Sequence, residues 1–376
     1  AEHGADVVLC ETLRYPGGCA STFTRNRYQF EAGATLFSGL EKGQIFSDWN
    51  EKWDLGLRFD ALDPLVEMRT AHWNLEVSAD PSALMERLDK LPGADPVALR
   101  SFFATQRGVA DALWKLFDDP SLLPPLDASA ILRHLARTPS YAPVLRWMNR
   151  PLSAAVRHHG LSDWEPLRTY LDAVSQITVQ ASAAEAEAPF AMAAMDYFFR
   201  GTGHVHGGIG KLAWGLTRAI EMAGGEVQLA NRVKAMSRDG GGWRVETRKG
   251  PMSTPTVVAN LLPQSLSSMA EPELNGAVRD VESSVEDGWG AAMLYLVVDS
   301  EAAGGPGAHH LQLIDDVGAP FQEGNHVFCS ISADDETERA PTGQRTVTVS
   351  THVPMQKLVG LGSEEQGRYI ASIPVS

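Results

Sequence analysis

The first apolar run, Val7-Val8-Leu9-Cys10, is short and β-branched, and predicts a buried strand ending on Glu11. A Gly-rich turn follows over 12–21. Residues 22–31 alternate approximately with period two, which predicts a hairpin with Asn26 at its turn. A short helix is expected over 44–55, and two strand-like runs over 64–78 flank Thr70-Ala71. From 81 to 199 the spacing of apolar positions becomes helical. Pro81 stands at a first helical position after Asp80. Helical periodicity continues through 97–118, 127–137, 150–159 and 165–198. The Ala-rich stretch Ala181 to Met195 carries Phe190, Met192 and Met195 at helical spacing and reads as a buried helix rather than a linker. Residues 201–210 are rich in Gly and His, and an amphipathic helix over 211–223 closes on Gly224-Gly225. Strands are predicted at 226–237, 242–248 and 254–261, with Asp239 to Gly242 as a hairpin loop. A helix at about 275–284 leads to strands near 291–298, 309–314, 325–332 and 345–352. Ala302 to Ala308 reads as a flexible surface loop, and no internal repeat is visible. The order is strand-rich, helical, strand-rich, which predicts two domains that exchange the chain more than once.

Composition narrows the class. The 376 residues are enough for two or three domains, and 44 % hydrophobic with 21 % charged residues excludes a disordered chain. No apolar run approaches the roughly 18 residues of a membrane-spanning helix. The net charge of −15 argues against nucleic acid, which requires clustered cations. Cys10, Cys19 and Cys329 have no metal-ligand spacing and cannot all pair, so a reducing, cytoplasmic setting is expected. Ala1-Glu2-His3-Gly4 reads as the last turn of a helix, and the chain stops after Ile370 to Ser376 without a closing element. The expectation is therefore an internal fragment of a longer protein.

The residues that carry chemistry begin with Glu11. A carboxylate at the end of a second strand in a βαβ unit accepts hydrogen bonds from ribose hydroxyls. Gly17-Gly18, six residues on, lets backbone N–H groups approach a pyrophosphate.

Glu11-x5-Gly17-Gly18-x-x-Ser21, followed by Tyr28-Gln29-Phe30-Glu31-Ala32-Gly33-Ala34-Thr35, resembles the FAD-dependent phytoene desaturase and carotenoid isomerase family, within the flavin amine-oxidase-like group. The resemblance continues in order through Gly207-Gly208-Ile209-Gly210-Lys211-Leu212, Gly224-Gly225-Glu226-Val227, Asn231-Arg232-Val233 and Val257-Val258-Ala259-Asn260, and then through the Leu313 to Asp315 region and Ala340 to Gly343. It implies an α/β fold in which a Rossmann-like FAD-binding domain is interleaved with a substrate domain of helices and a mixed or antiparallel sheet. The implied parts are 1–70 and 203–262 for FAD, 71–202 for a mainly helical substrate domain, and 263–376 for its sheet. The implied activity is flavin oxidoreduction on a long isoprenoid polyene, by desaturation or cis–trans isomerisation. The cofactor residues it implies are Glu11, Gly17, Gly18, Cys19, Ser21, Gly33, Ala34, Thr35 and Val233, with Gly33-Ala34-Thr35 along the flavin and Val233 meeting the adenine through its backbone. It assigns no catalytic acid or base. The family's Gly-x-Gly-x-x-Gly strand–turn–helix and its C-terminal Gly-Asp segment are absent; Cys19 replaces a usual Arg or Lys, and Glu31 a usual Asp. An amine oxidase-like flavoenzyme, which would need aromatic residues framing the flavin, and a non-catalytic prenyl-binding protein of related fold are the alternatives.

Three other patterns are weighed beside this. Gly208-Ile209-Gly210-Lys211-Leu212-Ala213 matches Gly-x-Gly-x-x-Ala, but Gly203 to His206 does not read as a buried apolar strand, so a glycine turn capping a helix is favoured. His204/His206, His158-His159 and His309-His310 lack any nearby Cys or a His-Glu-x-x-His motif; they read as solvated or capping, and no metal is expected. Finally, Ala128 to Ser162 contains no acid but holds Arg133, Arg137, Arg146, Arg150 and Arg157 among apolar residues. That pattern suits either a peripheral membrane contact or helices whose arginines pair with acids elsewhere.

Overall fold

The computed structural model describes residues 1–123, 126–270, 278, 282 and 288–374. The helix expected at 275–284 lies almost wholly outside the described residues. Strands are β1 (Val8–Cys10), β2 (Thr22–Arg25), β3 (Tyr28–Glu31), β4 (Phe59–Asp60), β5 (Val66–Arg69), β6 (Asn74–Val77), β7 (His204–Val205), β8 (Glu226–Gln228), β9 (Val233–Asp239), β10 (Gly242–Thr247), β11 (Gly250–Thr254), β12 (Trp289–Asp299), β13 (His309–Ile314), β14 (His326–Ile331) and β15 (Gln344–Pro354). Helices are α1 (Ile45–Trp53), α2 (Pro81–Leu88), α3 (Pro96–Phe117), α4 (Ala128–Arg137), α5 (Ala142–Trp147), α6 (Leu152–His158), α7 (Glu165–Thr178), α8 (Ala188–Met195), α9 (Gly210–Met222), α10 (Pro263–Met269) and α11 (Ser363–Ser372).

The six-stranded sheet runs β12-β15-β14-β13-β5-β6 and is antiparallel except where β13 meets β5. Two of its strands come from residues 66–77 and four from beyond 288, so the chain returns to this sheet after the helices. The helices pack on β5 and β6. Val66, Met68, Leu75 and Val77 join Leu99, Phe102, Trp147, Leu167, Tyr170 and Met192 in one buried cluster. Asp80 and Asp95 accept backbone N–H groups at the starts of α2 and α3, each just before a proline that needs no acceptor. Gln106 ties α3 to α8 by donating to Met192 O (2.8 Å) and Asp196 Oδ1 (2.7 Å). Apart from this sheet, β1 pairs in parallel with β8, β9-β10-β11 form an antiparallel meander, and β2-β3 and β4-β7 pair antiparallel.

Four expectations change. The periodicity over 165–198 is broken: α7 ends at Thr178, Gln180 is left-handed (φ 55°), and α8 begins only at Ala188. The carbonyls of Ala183 and Ala186 instead accept Ser153 N (2.8 Å) and Leu152 N (2.9 Å), satisfying the open donors at the start of α6. The single strand expected at 226–237 is two strands in different sheets, parted by a turn with Ala230 at φ 53°. Residues 255–261 form no strand. Val258 is 91 % exposed, and no described strand lies beside this segment to take its hydrogen bonds. The 302–308 loop is anchored rather than free: buried Arg345 donates to the carbonyls of Gly305 and Gly307 at 2.6 Å each.

Candidate cofactor site

The candidate residues fall into two groups. Glu11 N donates to Gln228 O (3.0 Å), extending the β1–β8 pairing by one residue. This puts its carboxylate at the carboxyl end of two parallel strands, the edge at which α/β folds hold nucleotides. Oε1 accepts the Leu13 N–H at 2.7 Å. The turn after β8 closes on the same loop, with Ala230 N on Leu13 O (2.7 Å) and Asn231 N on Glu11 O (2.8 Å). Asn231 is fully buried. Its side chain donates to Gln228 Oε1 (2.5 Å) and accepts from Lys249 N (2.9 Å). Val233 starts β9 two residues later, so Asn231 is what joins Glu11 to Val233. The Asn-Arg-Val run points to Val233, yet the hub is the asparagine.

The second group surrounds Gly17-Gly18. Both are left-handed (φ 108° and 57°), a conformation that costs other residues. A Cβ on Gly17 would lie 2.6 Å from Ala20 O and 3.0 Å from Ala213 Cβ, so this glycine lets α9 approach the turn. A Cβ on Gly18 would meet nothing within 4 Å. The space over Gly18 is open, so the backbone of this exposed turn is accessible. Ser21 Oγ donates to Gly18 O (2.7 Å), Ala32 N to Ser21 O (2.8 Å) and Ala34 N to Cys19 O (3.0 Å). Gly33 is required here, since a Cβ would stand 2.9 Å from Cys19 O. Gly17, Gly18, Cys19, Gly33 and Ala34 therefore lie together, with half-buried Thr35 next in the chain, while Ser21 is buried beneath them and braces the turn. Three aromatic rings edge it. Tyr295 packs against Phe23 (5.1 Å) and Phe30 (5.3 Å), and its hydroxyl donates to Ala32 O (3.4 Å). Burial, with Tyr15 and Cys19 nearby, raises the Tyr295 phenol. Nothing in the sequence pattern links Tyr295 to residue 32.

The glycine run at 207–210 has a different role. Ile209 N donates to Glu31 (3.2 Å), Gly210 N to Thr22 Oγ1 (2.9 Å) and Gly207 N to Glu336 Oε1 (2.6 Å). The N-terminus of α9 is thus filled by the protein's own carboxylates, which complement its positive end and leave no opening for a phosphate. A Cβ on Gly208 would lie 2.4 Å from Thr22 Oγ1, which explains that glycine by close packing. Thr22 Oγ1 donates to Glu31 Oε2 (2.8 Å), and Arg339 Nη1 lies 3.0 Å from Glu31 Oε1 with both side chains buried. His204 Nε2 stands 3.1 Å from Glu336 Oε1. Burial works to raise the Glu336 carboxyl, but His204, the Arg339 charge and the Ala333 N–H override it and hold it at about 2.

This junction corrects two readings. Residues 204–205 are a buried strand, short but real, paired with Phe59–Asp60. His204 and His310 are buried rather than solvated or capping, and burial, then the neighbouring His204, pushes His310 well below the usual imidazole range. Across the six-stranded sheet, His310, Ser330, Thr348 and Tyr295 stand opposite one another in one row. Among the described residues no cluster of His, Cys, Asp and Glu has the makings of a metal site.

Residues 1–51 match the family model described as NAD(P)-binding Rossmann-like domain. No curated protein sequence matches the chain. Among solved structures, an oxidoreductase from Methanosarcina mazei superposes with a TM-score of 0.61 at 17 % identity, covering 99 % of this chain and 80 % of that one. Putrescine oxidase bound to putrescine gives 0.58 at 15 % identity, covering 99 % and 76 %. A CLA-producing fatty acid isomerase from P. acnes gives 0.57 at 10 % identity, covering 97 % and 74 %. The chain has a mixed α/β fold, with a Rossmann-like dinucleotide-binding portion and a mixed sheet.

Proposed function

We propose that this chain is part of an FAD-dependent oxidoreductase acting on a long isoprenoid polyene, by desaturation or cis–trans isomerisation. The observation that carries the cofactor is the surface running from Glu11 through the open Gly18 turn to Gly33. The division into 1–70 and 203–262 for nucleotide, and 71–202 and 263–376 for substrate, belongs to the same reading. Bound flavin would supply hydride chemistry. The chain's own residues bind and orient: Glu11 would accept ribose hydroxyls, Gly17-Gly18 would admit the pyrophosphate, Cys19 and the Gly33-Ala34-Thr35 strip would line the path toward the ring, and buried Ser21 would hold the Gly18 turn in place. Val233 borders the adenine. The polyene is supported by the collinear run of motifs and by the likeness to an isomerase whose name specifies a fatty acid substrate.

A second reading has its own support. Phe23, Phe30 and Tyr295 gather beside Ala32-Gly33, as an amine oxidase-like site would require, and putrescine oxidase shares the fold. The test is to purify the chain with added FAD, record a flavin spectrum, and follow flavin bleaching without oxygen. Bleaching or isomer change with a polyene in detergent supports the first reading. Bleaching by diamines, with peroxide on re-oxygenation, supports the second. Binding of polyisoprenoid without flavin would leave a carrier, and neither oxidoreductase reading would stand.

A further inference from the structure

The helix α4 is built the wrong way round for a helix in water. Ala130 is its one buried apolar residue, whereas Leu132 and Leu135 are 67 % and 65 % exposed and Ile131 is 49 % exposed. Leu126 ahead of it, and Leu145 and Met148 in and just after α5, are exposed too. In α7, by contrast, Leu167, Leu171 and Val174 turn inward. An amphipathic helix places its apolar face against whatever covers it.

The segment that carries this face is one-sided in charge, although Asp119, Asp127 and Glu187 border it from outside. No Asp or Glu occurs from Ala128 to Ser162, in a chain of net charge −15. Among the described residues Arg137 is the one of the five arginines in an ion pair, with Asp119 at 3.2 Å, while the Arg133 charge acts on Asp127. Arg133 donates to Ser129 Oγ and Ser121 O, both neutral, at 3.1 Å. Arg146 lies over the Trp147 ring (5.2 Å) and beside His158. Arg150 and Arg157 make no ion pair among the described residues. A groove of about 760 Å³ between α3 and the α4–α5 turn is lined by Asp111, Lys115, Leu116, Arg137, Tyr141 and Pro143.

We propose that the outward face of α4 and α5 docks on a bilayer containing anionic lipid. Leu132, Leu135 and Leu145 enter the acyl layer while Arg146, Arg150 and Arg157 sit among the phosphates. Charge complementarity selects this occupant. Two copies of the face would oppose arginine to arginine, which disfavours a dimer made through it. The proposal does not depend on the cofactor or on the reaction.

The experiment is flotation of the full chain with phosphatidylcholine vesicles, with and without a phosphatidylglycerol fraction. Wild type should float with the anionic vesicles, weaken as salt rises, and bind phosphatidylcholine alone poorly. R146E/R150E should bind roughly twentyfold or more weakly, and L132S/L135S should lose most binding. All four positions are exposed, and circular dichroism checks that both variants fold. Equal flotation of wild type and both variants overturns the proposal. So does a wild-type dimer that L132S/L135S converts to monomer with no vesicle binding, which would assign the face to a second copy.

Discussion

Replacing Glu31 tests the junction beneath α9 most directly. Glu31→Gln keeps the shape and, with its amide oxygen at the Oε2 position, still accepts from Thr22 Oγ1 and Ile209 N, but it replaces the carboxylate oxygen 3.0 Å from Arg339 with an NH2 donor. Arg339 is fully buried, and its Nε and Nη2 have no hydrogen-bond partner. Breaking a buried pair and stranding one charge costs about 3–5 kcal/mol. The Glu336 carboxylate also acts on Arg339, so the lower end, about 3 kcal/mol, is expected. Arg339→Met should cost less, about 2 kcal/mol, because Glu31 keeps two donors. If the pair is what matters, the double variant costs at least about 2 kcal/mol less than the two single losses added together. Urea unfolding followed by circular dichroism measures all four species. A Glu31→Gln loss below about 1 kcal/mol, or strictly additive variants, would refute the account.

Three further outcomes follow from the geometry. Glu11→Ala should weaken FAD or ADP binding roughly tenfold while leaving stability nearly unchanged, read by fluorescence titration. Gly17→Ala should destabilise by about 2 kcal/mol because its Cβ collides with Ala20 O, whereas Gly18→Ala should cost about 1 kcal/mol from its left-handed backbone alone; thermal melts rank them. Burial, then His352, pushes the His326 imidazole from 6.5 down to about 3, so the unfolded chain gains a proton first as pH falls. Its contribution to stability is therefore full above pH 6.5 and lost toward pH 3, about 2 kcal/mol by pH 5. His326→Phe, beside Phe321, should flatten the urea midpoint between pH 7 and pH 5, and an unchanged slope would remove His326 from the account.

Much of the fold was readable because its signals are local. Asp80-Pro81 opens α2, the alternation around Asn26 makes β2 and β3, and the apolar runs beyond 288 make the large sheet. Reading failed where partners are remote. The break at 179–187 exists because α6 needs acceptors, and the apolar run at 257–260 fails as a strand for want of a neighbour. At the site, Glu11 and Gly17-Gly18 are close in the chain and so could be read together. Tyr295, Arg339 and the backbone link from Asn231 to Glu11 could not, because each spans more than 200 residues. Glu31 was visible only as a change within a motif, and its burial under α9 is a tertiary fact.

The junction beneath α9 also bears on how the chain reaches this state. Glu31 bonds Ile209 across 178 residues, and Glu336 bonds Gly207 across 129. Loops of that length close late and slowly, because their entropy is lost before any contact repays it. Until residues 336–339 arrive, the Gly207 N–H lacks its Glu336 acceptor and the Glu31 carboxylate lacks its Arg339 partner. The helical core of α3, α7 and α8 can assemble from nearby segments in the meantime. The junction beneath α9 is therefore among the last parts to set, and a ribosome must release the region beyond β14 before it can.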